Sequence, residues 1–142
     1  MSQVSTTAAE AAQRPWAAGA AYDGGPGTVA AARRFTGSFL ARAAEDGCPV
    51  SAQAVDDVCL IVSELVTNAA KYAPGPCLLD LELIPDAVRV TLWDTEPVPP
   101  VPSPADALRI GRHGLEIVLA LCRRFEVERQ SGGKRIQVDV PR

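Results

Sequence analysis

The stretch SELVTNAAKYA, residues 63–73, carries two patterns on one helix. On a wheel of about 100° per residue with Glu64 at zero, Val55, Val58, Val62, Leu65 and Ala69 gather near roughly 140° and form a core stripe. Glu64, Asn68 and Lys71 fall within about 60° of one another and form a second stripe. Leu60 and Ile61 border that second stripe, which a freely solvated face does not normally offer. A carboxylate, an amide and an ammonium along one apolar-bordered edge suit an anionic ligand with a metal ion. The carboxylate can take a proton, the amide oxygen can bind a hard cation, and the lysine can neutralise phosphate. The plainer reading makes Glu64 and Lys71 surface charges and Asn68 a tolerated polar residue, because a glutamate and an asparagine four apart recur by chance.

Working outward, Ser51 caps this helix and Pro74-Gly75-Pro76 stops it after Tyr72. Upstream, PWAAGAAY (15–22) reads as a short strand, and DGGPG (23–27) breaks the chain before an amphipathic helix over 28–46. Val29, Ala32, Phe35, Phe39 and Leu40 share one side of that helix, and Gly47 and Pro49 end it. Downstream, LLDLELI (78–84) and AVRVTLWD (87–94) alternate apolar with polar residues as strands do, with Pro85-Asp86 as the turn. Five prolines between 95 and 110 forbid a helix or a central strand there and predict a long loop, a length that tends to be functional. A third helix is expected from about His113, with Leu115, Val118, Leu119 and Cys122 at helical spacing. FEVERQSGGKRIQVDV (125–140) then predicts two strands about Ser131-Gly132-Gly133. Helices, hairpin, loop, helix and hairpin together predict an α+β fold, a two-layer sandwich of a mainly antiparallel sheet with helices on one face. Residues 1–14, small and polar, predict a disordered tail, and 15–142 a single domain.

Composition narrows the function classes. With 142 residues, 47% hydrophobic and 22% charged, the chain can bury a real core. A net charge of −3 gives no support to bulk nucleic-acid binding, which usually needs a basic stripe. The four cysteines, Cys48, Cys59, Cys77 and Cys122, form no C-x-x-C pair, and the chain has one histidine, so a zinc site is not expected. Cys59 and Cys122 fall in apolar helical patterns and are expected to be reduced and buried. No N-terminal apolar region and no run of ~18 apolar residues is present, so the expected compartment is the cytoplasm, without a membrane span.

Two further sites join the helix edge. Asp94 follows Val88, Val90 and Leu92 on the inward face of its strand, and a buried carboxylate needs a donor. The exocyclic amine of a purine is one such donor; a cap on the next turn is the alternative. In IGRHGLEIV (110–118), Gly111 and Gly114 bracket Arg112 and His113 at a helix start. Backbone N–H groups and the helix dipole there favour an anion, and Arg112 can add a charge-assisted contact. A turn glycine and a polar helix start are the plainer readings of the same residues.

In this order, E-x-x-x-N on a helix, an aspartate at a strand end, a long loop and G-x-x-G-L opening a helix resemble the GHKL ATPase superfamily. The wording of SELVTNAAKYA and GRHGLEIVLAL is similar to the histidine-kinase-like ATPase domains of bacterial anti-sigma-factor serine kinases, over roughly residues 26–140. The resemblance implies the Bergerat fold, with ATP and Mg²⁺ as cofactors. It implies Glu64 as general base, Asn68 as the Mg²⁺ ligand, and Lys71 near the phosphates. Asp94 would lie at the adenine amine, Gly111, Arg112, Gly114 and Leu115 at the glycine-bearing helix start, and 95–110 would be the ATP lid. It further implies a protein serine kinase acting on an anti-anti-sigma partner of STAS type, with a sigma factor bound in exchange, and members that pair as homodimers. Direct nucleic-acid and membrane contacts are not implied.

Two departures keep a second reading open. The family usually follows its aspartate with glycines, D-x-G-x-G, whereas here Asp94-Thr95-Glu96-Pro97-Val98 follows. A threonine usually follows the later glycine-rich turn, and Arg135 is read here at that position. The alternative is therefore a non-catalytic module of the same fold that binds protein, and ATP weakly or not at all.

Overall fold

A computed structural model describes residues 16–95 and 112–142. The expected tail and, apart from Thr95, the expected lid lie outside the described residues, as does Gly111. The elements run β1 (Ala17–Tyr22), α1 (Thr28–Glu45), α2 (Ala52–Tyr72), β2 (Cys77–Ile84), β3 (Ala87–Asp94), α3 (Arg112–Leu121), β4 (Arg124–Gln130) and β5 (Gly133–Pro141).

Local chemistry sets the boundaries. Gly27 adopts φ 88°, and Thr28 turns back onto the Gly25 carbonyl with its hydroxyl at 2.7 Å and its N–H at 3.2 Å, which starts α1. Ser51 caps α2 by accepting the Ala54 N–H at 3.1 Å. After Tyr72, Ala73 still donates to the Ala69 carbonyl at 2.8 Å, and the Pro74-Gly75-Pro76 run then redirects the chain into β2.

The sheet has order β1-β2-β3-β5-β4, and every ladder is antiparallel. The last hairpin inserts β5 beside β3 and leaves β4 on the edge. Leu79, Leu81, Val88, Val90, Leu92, Ile136, Val138 and Val140 point to one face and are buried. Against them lie Val58, Ile61, Val62, Leu65 and Val66 of α2, all essentially out of water. Each such side chain contributes roughly 1.5–3 kcal/mol of transfer free energy as an upper bound. Helix α1 packs on α2 and β1, and α3 packs on α2, so the helices occupy one layer and the sheet the other.

The outer face of the sheet is polar. Arg89 grips Asp139 through two hydrogen bonds of 2.8 and 3.0 Å, Trp93 donates its indole N–H to Asp80 at 3.2 Å, and Arg135 lies 5.9 Å above the Trp93 ring. One wet and one dry face produce the strict alternation of β2 and β3.

Several expectations need correction in detail. Ile61 is fully buried whereas its neighbour Leu60 is 42% exposed, so α2 buries a wider arc than one stripe. It is wider because α1, α3 and the sheet all contact this helix. Cys59 and Cys122 are only partly buried, and Cys122 lies just past the end of α3; Cys77, at the start of β2, is the buried cysteine. Arg135, at the position where the family usually has a threonine, sits on the outer face over Trp93, and Lys134 is the residue paired with Asp94.

Candidate nucleotide site

The register of the five strands places one residue from each in a row across the end of the sheet: Tyr22, Cys77, Asp94, Lys134 and Arg129. Period two puts all five on the helix-facing side, in line with Leu79, Leu92, Ile136 and Val127 two residues further in. The chain between α2 and β2, residues 73–76, leads directly into this row, so the C-terminal end of α2 and the row share one end of the molecule.

On α2, Asn68 is 4% exposed, one turn before the helix end. Glu64, one turn earlier, is half-buried, and Lys71 is exposed. The helix edge therefore grades from a sheltered amide to a solvated ammonium. Neighbours four apart have Cβ atoms about 5–6 Å apart, so Glu64 and Asn68 can both reach one ligand group.

Asp94 is buried as its inward position requires, and its partner is Lys134. The ammonium stands 2.6 Å from Oδ2, and the Lys134 backbone N–H donates to Oδ1 at 3.2 Å. The two side chains are 1% and 3% exposed. Gly133 makes this approach possible: a Cβ there would run into the Asp94 carbonyl oxygen. Burial, and secondarily the Asp94 charge, push the Cys77 thiol above its ordinary range, so Cys77 is held as a neutral thiol next to the ion pair. A pocket of about 280 Å³ lies against this end of the sheet, lined by Tyr22, Pro76, Cys77, Asp94 and Thr95 among others. A second concavity, of about 430 Å³, lies on the polar outer face between Gly19, Asp80, Arg89 and Trp93, away from the α2 edge.

Arg129 completes the row. Its three guanidinium nitrogens are buried and make no hydrogen bond among the described residues. Beside Lys134, this gives the row two cations against one carboxylate. At α3, Gly114 is buried inside the first turn of the helix rather than ahead of it; Arg112 opens the helix, and the side chains of Arg112, His113 and Leu115 lie outside the described residues.

The structure thus brings Asp94 and the α2 edge to one end of the fold and adds Lys134, Cys77 and Arg129, which sequence reading passed over. The signal for Lys134 was present: Ile136, Val138 and Val140 alternate inward, and counting back by two reaches Lys134, not Arg135.

A family model of the histidine kinase-like ATPase domain matches residues 24–140. The chain belongs to that family. No curated protein matches the sequence. Among solved structures, this ATPase-family chain is similar to the RsbU and RsbW domains of a Mycobacterium tuberculosis protein, at 16% identity and a TM-score of 0.63, covering 88% of this chain and 32% of that one. It is also similar to the histidine kinase domain of a blue-light activated histidine kinase from Erythrobacter litoralis, at 22% identity and a TM-score of 0.51, covering 75% of this chain and 60% of that one. At these identities the likeness is one of fold: the α+β sandwich is common to all three. The chain spans about a third of the first structure's length and 60% of the second's. No helix among the described residues is long and apolar enough to cross a membrane.

The residues of this histidine kinase-like ATPase domain fit the two ends of a magnesium nucleotide differently. A buried amide and a half-buried carboxylate one turn apart, with an ammonium beyond, suit a cation and phosphate oxygens. At the end of β3, both oxygens of Asp94 are engaged by Lys134.

Proposed function

We propose that this chain is an ATP-binding regulatory protein of anti-sigma type that phosphorylates a serine on an anti-anti-sigma partner of STAS type and sequesters a sigma factor in the cytoplasm. The observation that supports this most is the sheltered Asn68, 4% exposed on α2, one turn from the half-buried Glu64. A carboxylate and a sheltered amide one turn apart suit a proton acceptor and an oxygen ligand for a hard cation.

Bound ATP with Mg²⁺ supplies the transferable phosphoryl group. Glu64 accepts the proton of the partner's serine hydroxyl as the oxygen becomes a nucleophile. Asn68 would hold the cation through its amide oxygen, and Lys71 would offset phosphate charge from the wetter end of the edge. The start of α3, with Arg112, Gly114 and Leu115 and with Gly111 just ahead of it in sequence, would receive phosphate oxygens. Positioning and charge neutralisation carry most of such a reaction.

A second reading, a protein-binding module of the same fold without phosphotransfer, is favoured by the Asp94–Lys134 pair, which occupies the carboxylate that a base would use. The two separate in one comparison. Under the kinase reading, Glu64→Ala lowers phosphotransfer to the partner by about 10²–10⁴-fold while Mg-ATP still raises the melting temperature. Undiminished phosphotransfer in that variant would remove Glu64 as the base. Mg-ATP binding by the unaltered chain without any phosphotransfer would leave the second reading standing.

A further inference from the structure

Strand β1 ends the sheet, and among the described residues no strand lies beside its outer edge. The Trp16 carbonyl accepts the Leu83 N–H at 2.8 Å, so the ladder to β2 continues at every second residue, through Ala18, Ala20 and Tyr22. The N–H and C=O groups of Ala17, Gly19 and Ala21 therefore point away from the sheet, and all three residues are exposed. Free edges are usually blunted by charge, proline or a bulge. The opposite edge, β4, carries Arg124, Glu126 and Glu128, whereas β1 reads AAGAAY.

A concavity opens on each face of this edge. The one of about 430 Å³ on the outer face is lined by Gly19, Asp80, Glu82, Arg89 and Trp93 among others. Asp80 accepts the Trp93 indole N–H on Oδ2, and its Oδ1 lies over Gly19, 2.5 Å from where a Cβ would stand. The carboxylate thus reaches toward the free edge through space that only glycine leaves open. Arg89 is held twice by Asp139, so at this corner Asp80, Glu82 and Asp139 stand against one guanidinium. Arg135, above the Trp93 ring, lies toward Glu126 and Glu128. On the helix-facing side a groove of about 240 Å³ runs between Trp16, Ala18, Phe35 and Phe39, with the exposed Ser38 and Arg42 beside it. A strand added beside β1 sends successive side chains to opposite faces. Its residue opposite Gly19 falls on the side of Asp80, and the next, opposite Ala18, falls on the side of the aromatic groove.

We propose that the β1 edge is a docking site for an extended segment of a partner protein in which basic and apolar residues alternate. The backbone of that segment extends the sheet. A lysine or arginine opposite Gly19 meets Asp80, and an apolar side chain opposite Ala18 fills the groove. The net charge of −3 favours a basic partner in the same sense. A second copy of β1 would set only alanine and glycine over the two concavities and fill neither. Docking at this edge does not depend on nucleotide binding at α2.

Each concavity holds one of the chain's two tryptophans, so intrinsic fluorescence reports on both. The full chain is titrated with acetylated and amidated synthetic peptides of about nine residues, the length of a strand, one alternating lysine with valine and the other glutamate with valine. The lysine peptide is expected to change the emission saturably and to bind roughly tenfold or more tightly than the glutamate peptide, the scale of one charge-assisted hydrogen bond. Asp80→Asn is expected to remove that preference. Ala17→Pro deletes an outward N–H without touching the ladder to β2, and is expected to weaken the lysine peptide by about tenfold. Equal affinities for the two peptides, or no saturable response to the lysine peptide, overturn the proposal. An unchanged response in a folded Ala17→Pro also overturns it, because binding then bypasses the strand edge. A dimer in analytical ultracentrifugation that Ala17→Pro converts to monomer puts a second copy on the edge and overturns it as well. The peptide comparison on the unaltered chain needs no variant, so the test stands even where Asp80→Asn or Ala17→Pro does not fold.

Discussion

Arg129 brings a full charge to the core-facing side of β4, and its buried nitrogens make no hydrogen bond among the described residues. Leaving such a group unsatisfied costs about 1–3 kcal/mol, and the like charge of Lys134 beside it adds to that. Methionine keeps most of the aliphatic bulk and removes the charge. Arg129→Met is therefore expected to raise stability by about 1–2 kcal/mol, read as a higher urea midpoint at unchanged slope. A lower midpoint would mean that the guanidinium contributes attraction not visible in its surroundings. Neighbouring Cys77 gives a pH dependence with a definite sign. Burial raises its thiol above the ordinary 9.0, so the native chain holds that proton more tightly than the unfolded chain. The corresponding stability is fully present below pH 9.0 and is lost as pH rises through the native value. At this scale the alternation of β3 gave the inward position of Asp94, and in β5 Lys134 rather than Arg135 is the basic residue that turns inward. Where β5 starts decides which of two adjacent basic residues turns inward, and a shift of one residue reverses every side chain. The packing of Gly133 onto the Asp94 carbonyl and the ladder with β3 hold that start.

At the scale of elements, α2 combines a core helix with the edge of Glu64, Asn68 and Lys71, and its two ends are controlled by different means. The start rests on Ser51, whose hydroxyl takes the Ala54 N–H at 3.1 Å. Ser51→Ala is expected to cost about 1 kcal/mol, a melting temperature lowered by a few degrees, with nucleotide affinity unchanged because the cap lies three turns from Glu64. A larger loss confined to affinity would show that the cap positions the edge. The end rests on Gly75. Gly24 and Gly75 both have positive φ, and a Cβ on Gly24 would strike the Gly75 carbonyl, so the turn before α1 and the turn after α2 touch backbone to backbone. The existence of the helices and strands was legible because periods of 3.6 and two are strong and Pro and Gly punctuate them. The breadth of the buried arc on α2 was not legible from one helix. Ile61 and Val66 are buried by partners that come from distant sequence.

For the whole molecule, the strand order makes a prediction about dynamics. Central β3 and β5 bond on both sides and carry Val88, Val90, Val138 and Val140, all fully buried, whereas β1 and β4 are edges. Amide exchange is expected to be slowest in β3 and β5, with the outward-facing amides of β1 and β4 exchanging through local opening. Protection of β1 equal to that of β3 would indicate that its edge is covered, for instance by a second copy of the chain. The sequence by itself determined the α+β class, the helix edge of Glu64, Asn68 and Lys71, and the inward Asp94, because each follows from a local period and a local breaker. Tertiary structure alone decided that β5 inserts beside β3 while the charged β4 takes the rim. That placement brings Lys134 onto Asp94 from 40 residues away. The physical reason is that pairing between distant strands is governed by total burial and by the register of the whole sheet, and no window of sequence contains both partners.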